Sequence, residues 1–216
     1  MNVKIAIMFV VAELLGALIC LKTKGTIKRM IMSCIGLGFL FAIVFSDILP
    51  DATKNFSYGY LVCILGVLCM CLVGTNRKNI GNYTAVAGMG FHNFCEGIIL
   101  TSIGSISPIL IVGLVLHKLP EGMVTFSLLD GIKDRTRFII ASVIALLIPL
   151  GALILIPESI AQPLTAFAAG VIIYASVSSF KKIIVMHYET SESLRTMIAV
   201  ATFAGAIAGG ISCLIV

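Results

Sequence analysis

Apolar stretches long enough to cross a lipid bilayer recur eight times along the chain, at residues 3–21, 30–50, 58–74, 82–103, 107–129, 137–156, 163–182 and 195–215. A helix rises about 1.5 Å per residue, so roughly twenty residues cover a hydrocarbon core about 30 Å thick. In lipid each backbone amide must find its partner within its own span, and the fold class this pattern permits is an all-α integral membrane bundle. The links are short, so a single transmembrane domain over residues 1–216 is expected. A hydrophobic fraction of 59% against 12% charged residues lies far from the averages of soluble domains. No A-x-A-like site follows the first stretch, and a cleavable signal peptide is not expected.

Lysine and arginine set the orientation, because cytoplasmic loops carry the excess of positive charge. Lys22, Lys24, Lys28 and Arg29 follow the first stretch, Arg77 and Lys78 the third, Lys133, Arg135 and Arg137 the fifth, and Lys181, Lys182 and Arg195 the seventh. The opposite side holds only Lys4 and Lys54, and Lys118 falls inside the fifth stretch. Both termini are therefore expected outside the cytoplasm of a multi-pass cell-membrane protein. The net charge of +5 reads as a topology signal and an attraction to anionic lipid. No basic, aromatic-interleaved surface suggests nucleic acid. The seven cysteines lie in or at the edges of apolar stretches without C-x-x-C spacing, and read as small hydrophobes.

"LGALI" occurs at 15–19 in the first stretch and again at 150–154 in the sixth, which run in opposite directions under the charge count. An inverted repeat of this kind is a habit of transporters, with the binding site near the midplane between the halves. It predicts inverted three-helix repeats, stretches 1–3 and 6–8, around a central pair, 4 and 5.

That pair carries "HNFCEG" at 92–97 and "HKLPEG" at 117–122. Residues i and i+4 share a helix face, so His92 with Glu96 and His117 with Glu121 form two clamps. Two imidazoles and two carboxylates facing each other suit Zn²⁺, with Fe²⁺, Mn²⁺, Co²⁺ and Cd²⁺ as rivals. A lone buried histidine would read as a hydrogen-bonded core residue; repetition at identical spacing, at bilayer depth, points to metal. Pro120 is expected to kink its helix, and Gly97 and Gly122 serve either close approach around the site or packing alone.

Further polar residues mark a path. Asp47 and Asp51, four apart at the outer end of the second stretch, read as a cation-drawing entrance or as a solvated helix end. Glu13 lies deep in the first stretch and corresponds, at the repeat offset of 135, to Ile148; it either contributes to the site or sits protonated and hydrogen-bonded. Cys95, beside Glu96, is a soft ligand or a packing residue. His187, Glu189 and Glu192 precede the last stretch and read as an exit trap or as loop polarity. Ser176, Ser178 and Ser179 are expected to hydrogen-bond between helices. Gly205, Gly209 and Gly210 permit close pairing, including a homodimer.

The paired motifs resemble the H-N-x-P-E-G and H-x-x-P-E-G signatures of the ZIP family of zinc/iron permeases, in a short, bacterial-type form. "LLGALI" in the first stretch, "DILPDA" in the second and "IPLGALI" in the sixth are similar to further family segments, so the likeness spans nearly the whole chain. The resemblance implies inward transport of divalent transition metal, commonly zinc, with the ion as cargo and no prosthetic group. Family members with a two-metal centre use the residue after the first ligand of each motif and a glutamate in the sixth helix. Here those positions read Asn93, Lys118 and Ile148. Asn93 retains ligating capacity, a protonated lysine has no lone pair, and isoleucine has none either. A second ion is therefore not expected. Lys118 is read as a charge substitute for it, the other reading being that its side chain turns toward a helix end.

Three function classes meet these residues. A permease needs reversible intramembrane ligands. An intramembrane metallohydrolase would want an H-E-x-x-H pattern, and the order here is H-x-x-x-E twice. A metal sensor would want an output domain that the short loops leave no room for. The expectation is a transporter and not an enzyme.

Overall fold

The computed structural model describes residues 2–54, 56–75, 81–102, 108–187 and 191–215, and every regular element among them is helical. The order is α1 (Asn2–Lys22), α2 (Thr26–Ile43), a five-residue π-helical turn (Val44–Ile48), α3 (Leu49–Lys54), α4 (Gly59–Thr75), α5 (Gly81–Ser102), α6 (Pro108–Leu128), α7 (Asp134–Ala145), α8 (Leu147–Gly151), α9 (Glu158–His187) and α10 (Glu192–Ile215). Five stretches are long and apolar enough to cross a membrane: Lys4–Lys22, Thr26–Asp51, Ile111–Leu128, Ser159–Val185 and Glu192–Leu214. Two of the remaining expected segments are helical as well, and the third, the sixth stretch, is helical only in part. Gly59–Gly74 is apolar and shorter. α5 carries His92, Asn93 and Glu96.

The sixth stretch departs from the expected continuous helix over 137–156. It breaks at Leu146 between α7 and α8, and the chain leaves helix after Gly151. Pro149 supplies no N–H to the preceding turn, which removes one rung of the ladder where the break occurs. The second stretch is longer than expected and widens before Pro50, where the Leu49 N–H bonds back to the Val44 carbonyl, five residues earlier. Here too a proline withdraws the regular donor, and the wider turn accommodates the loss.

Glycines set the packing. A Cβ on Gly16 would fall on the Leu119 carbonyl and one on Gly122 on the Glu13 carbonyl, so α1 and α6 touch backbone to backbone. Gly97 and Gly151 bring α5 and α8 together in the same way, against the Ile148 and Phe94 carbonyls. Gly38 and Gly205 join α2 to α10, and Gly66 and Gly170 join α4 to α9. Lipid tails are as apolar as leucine, so helices in a bilayer gain from such close van der Waals fit rather than from expelling water. Leu37, Leu40, Met89, Val124 and Ile172 fill the main interior among α2, α5, α6 and α9, and Phe9 with Ile148 anchors a second one beneath α1.

Candidate metal centre

α5 and α6 place their two clamps against each other, crosswise. His92 Nε2 lies 3.4 Å from Glu121 Oε1 on the other helix and 3.8 Å from Glu96 Oε2 on its own. His117 Nε2 lies 3.0 Å from Glu96 Oε1 and 3.8 Å from Glu121 Oε1. One ligand atom each from His92, Glu96 and Glu121 falls within 4.8 Å of the others, the spread of atoms around one ion. His92 and His117 are 4% exposed and Glu121 not at all.

The histidines are set up differently. His117 Nδ1 faces the Gly113 carbonyl at 3.4 Å, and Phe9 packs edge-on against the ring. Both ring nitrogens therefore face acceptors, and a neutral ring has one hydrogen for the two; a metal cation on Nε2 would leave that hydrogen for the Gly113 carbonyl. His92 has neither ring nitrogen hydrogen-bonded, and Glu121 Oε1 is likewise buried without a hydrogen bond. Unpaired buried polar atoms are costly and rare.

Lys118 does not turn away. Fully buried, its ammonium contacts carboxylate oxygens of both Glu96 and Glu121. It also donates to Asn93 Oδ1 at 3.1 Å. Asn93 therefore uses its oxygen on Lys118, while its amide donates to both Glu13 oxygens, at 3.0 and 2.9 Å, and to the Ile144 carbonyl at 3.2 Å. The last bond satisfies backbone next to the break at Leu146. Asn93 thus stands behind the cluster as a bracket, with its acceptor occupied, rather than among the converging ligand atoms. Glu13, 1% exposed, is the far end of this chain of contacts. Two carboxylates against one ammonium leave a single negative charge at the cluster.

The outlying residues divide. Asp47, in the π-helical turn, lines a crevice of about 10 Å³ together with His117, Gly113 and Cys213. Asp51, beyond the turn, is exposed and lines no part of that crevice. Cys95 is buried and lies outside the converging group. Ser176 and Ser179 are buried, and neither hydroxyl has the interhelical hydrogen bond expected from the sequence; Thr125 on α6 has none either. Arg77, Lys78 and Glu189 lie outside the described residues, as does the His187 side chain; Glu192 opens α10 and is exposed.

The sequence did not single out the ionic lattice at the other end of the bundle. Arg29 binds both Asp134 oxygens at 2.9 and 2.7 Å, and Arg137 reaches Asp130 at 3.2 Å and Asp134 at 3.3 Å. Those arginines read only as topology charges in the sequence. The burial of Arg137 beside Phe126 had no signal short of the fold. Comparison with protein-family models and with curated proteins gives no match to this chain.

Proposed function

We propose that the protein is a membrane permease of the ZIP kind that carries a divalent transition metal, zinc foremost, into the cytosol through one site formed by His92, Glu96, His117 and Glu121. The observation that carries this reading is the convergence, inside apolar helices, of ligand atoms of His92, Glu96 and Glu121, among them both ring nitrogens of His92 and Glu121 Oε1 without hydrogen-bond partners, with His117 Nε2 beside them at 3.0 Å from Glu96. Lys118 serves as the fixed second cation. It keeps both carboxylates ionised together, and the remaining single negative charge attracts a divalent ion without holding it irreversibly.

Eight spans with inverted repeats fit the packing. Gly151 and Ile148 stand 135 residues after Gly16 and Glu13, and Phe94 and Gly97 stand 25 before Leu119 and Gly122. These offsets convert the α1–α6 contacts into the α8–α5 contacts residue for residue. Gly38 against Thr202 and Gly170 against Cys63 match likewise, at offsets of 132 and 139. Equivalent segments of odd and even order run in opposite directions through the membrane, which is what an inverted repeat requires. The proposed moving group is α1, α5, α6, α7 and α8, of which α5 and α6 bear the ligands, against α2, α4, α9 and α10, which it meets chiefly where α5 packs on α9 and α6 on α2. Movement of the first group past the second is the proposed transport step. Asp47 is the proposed outer approach.

The test is zinc and cadmium uptake into proteoliposomes with wild type and Glu121→Ala, with bound metal counted on each purified protein. One ion per chain with uptake in wild type, both lost in Glu121→Ala, is the expected result. Tight binding without uptake would move the assignment to sensing, and two tightly held ions per wild-type chain would refute the role given to Lys118.

A further inference from the structure

At the basic end of the bundle α2, α6 and α9 enclose a cavity of about 90 Å³, lined among others by Arg29, Ser33, Asp130, Arg137, Ser179 and Lys182. By liquid volume that is room for about three waters. The charges around it do not cancel. Arg29, Arg137 and Lys182 bring three positive charges, and Asp130 with Asp134 behind Arg29 brings two negative ones.

The donors are unequally engaged. Arg29 spends both terminal nitrogens on Asp134 and its Nε on the Thr23 carbonyl at 2.8 Å. Arg137 spends Nε and Nη2 on the Phe126 carbonyl, at 3.1 and 3.0 Å, and stacks over the Phe126 ring at 4.2 Å. Both guanidiniums are thus immobilised and contribute field rather than free hydrogens. Lys182 has only two long contacts, 3.4 Å each, to the Leu128 and Asp130 carbonyls. One helical turn before it on α9, Ser179 is 5% exposed, lines the cavity and has no hydrogen-bond partner. A flexible ammonium and an unpartnered hydroxyl on one face, in the field of two fixed guanidiniums, make a cradle for an oxyanion. A divalent cation would meet a net positive wall. A monatomic anion would leave most of the volume unfilled, whereas a tetrahedral oxyanion offers an acceptor to each donor.

We propose that this cavity is a binding site for a phosphate group, held by Lys182 Nζ and Ser179 Oγ between Arg29 and Arg137, and distinct from the His/Glu centre. Basic pockets between transmembrane helices suit the phosphate of an anionic lipid headgroup, and free inorganic phosphate presents the same chemistry.

The experiment uses the full chain, purified in neutral detergent and titrated with inorganic phosphate, and in parallel reconstituted with phosphatidylcholine alone or mixed with phosphatidylglycerol. Radiolabelled phosphate and bound lipid are counted, and helical content by circular dichroism confirms that each variant is folded. Saturable binding of one phosphate group per chain is expected, weakened about tenfold or more in Lys182→Gln and in Ser179→Ala, and recovered in Lys182→Arg. Binding of inorganic phosphate in detergent identifies the free anion as a ligand. Selective retention of phosphatidylglycerol without it identifies the lipid. Saturation by neither, or binding indifferent to both Lys182→Gln and Ser179→Ala, overturns the proposal. None of these readouts depends on metal transport.

Discussion

Lys118 is the residue on which the centre turns. A charge buried without its partner is far more costly than a complete ion pair is stabilising, so the two kinds of deletion differ. Glu121→Gln leaves the ammonium paired with Glu96, a complete ion pair, so it should abolish zinc binding while lowering the stability of the metal-free protein less than Lys118→Ala does, which metal counting and thermal unfolding will show. Lys118→Ala leaves Glu96 and Glu121 facing each other uncompensated. Its metal-free form should also unfold at lower temperature, but added zinc should raise its midpoint by more than in wild type, because the ion then supplies the missing positive charge. An equal or smaller shift would remove Lys118 from its role as a fixed cation. Much of this was legible in the sequence, since histidine and glutamate four apart declare a shared face and a lysine in an apolar helix declares itself. The crosswise pairing and the recruitment of Asn93 were not, because both depend on how far one helix slides along another, which no local spacing encodes.

Among the elements, the glycine crossings are the most demanding contacts. A methyl group at Gly97 or Gly122 would meet backbone, which cannot rotate away, whereas one at Gly210 meets nothing within 4 Å. Gly97→Ala and Gly122→Ala should each cost about 1–3 kcal/mol or more, and Gly210→Ala should stay within about 0.5 kcal/mol of wild type, by denaturation in detergent. Stabilisation by alanine at all three positions would show that helix propensity rather than contact governs them. The repeat of "LGALI" marks Gly16 and Gly151 as corresponding positions, but not which helix each would cross, since that depends on tertiary packing. The break at Leu146 was also latent in Pro149, but hydropathy alone runs straight through it because both flanks are equally apolar. The π-helical turn before Pro50 escaped for the same reason.

For the molecule as a whole, the proposed sidedness rests on the charge count. A cysteine at Lys4 should react with a membrane-impermeant thiol reagent added to intact cells, above the background of the native cysteines, and one at Lys24 only after the membrane is opened. The reverse pattern would invert the proposed direction of transport. The ligands sit on α5 and α6, and Ile148, the proposed repeat mate of Glu13, lies in an apolar core with Phe9. Under the proposed repeat the two halves are alike in backbone and unlike in charge.

The widened turn at Val44–Ile48 is in effect a surplus residue within a rod. Removing one residue there would let the helix wind uniformly through to Lys54, and everything beyond would swing by about 100°. Asp47 and Asp51 would then lie on one face, and Asp47 would lose its present bearing on the interior. The local chain length, as much as any side chain, selects which acid looks toward His117.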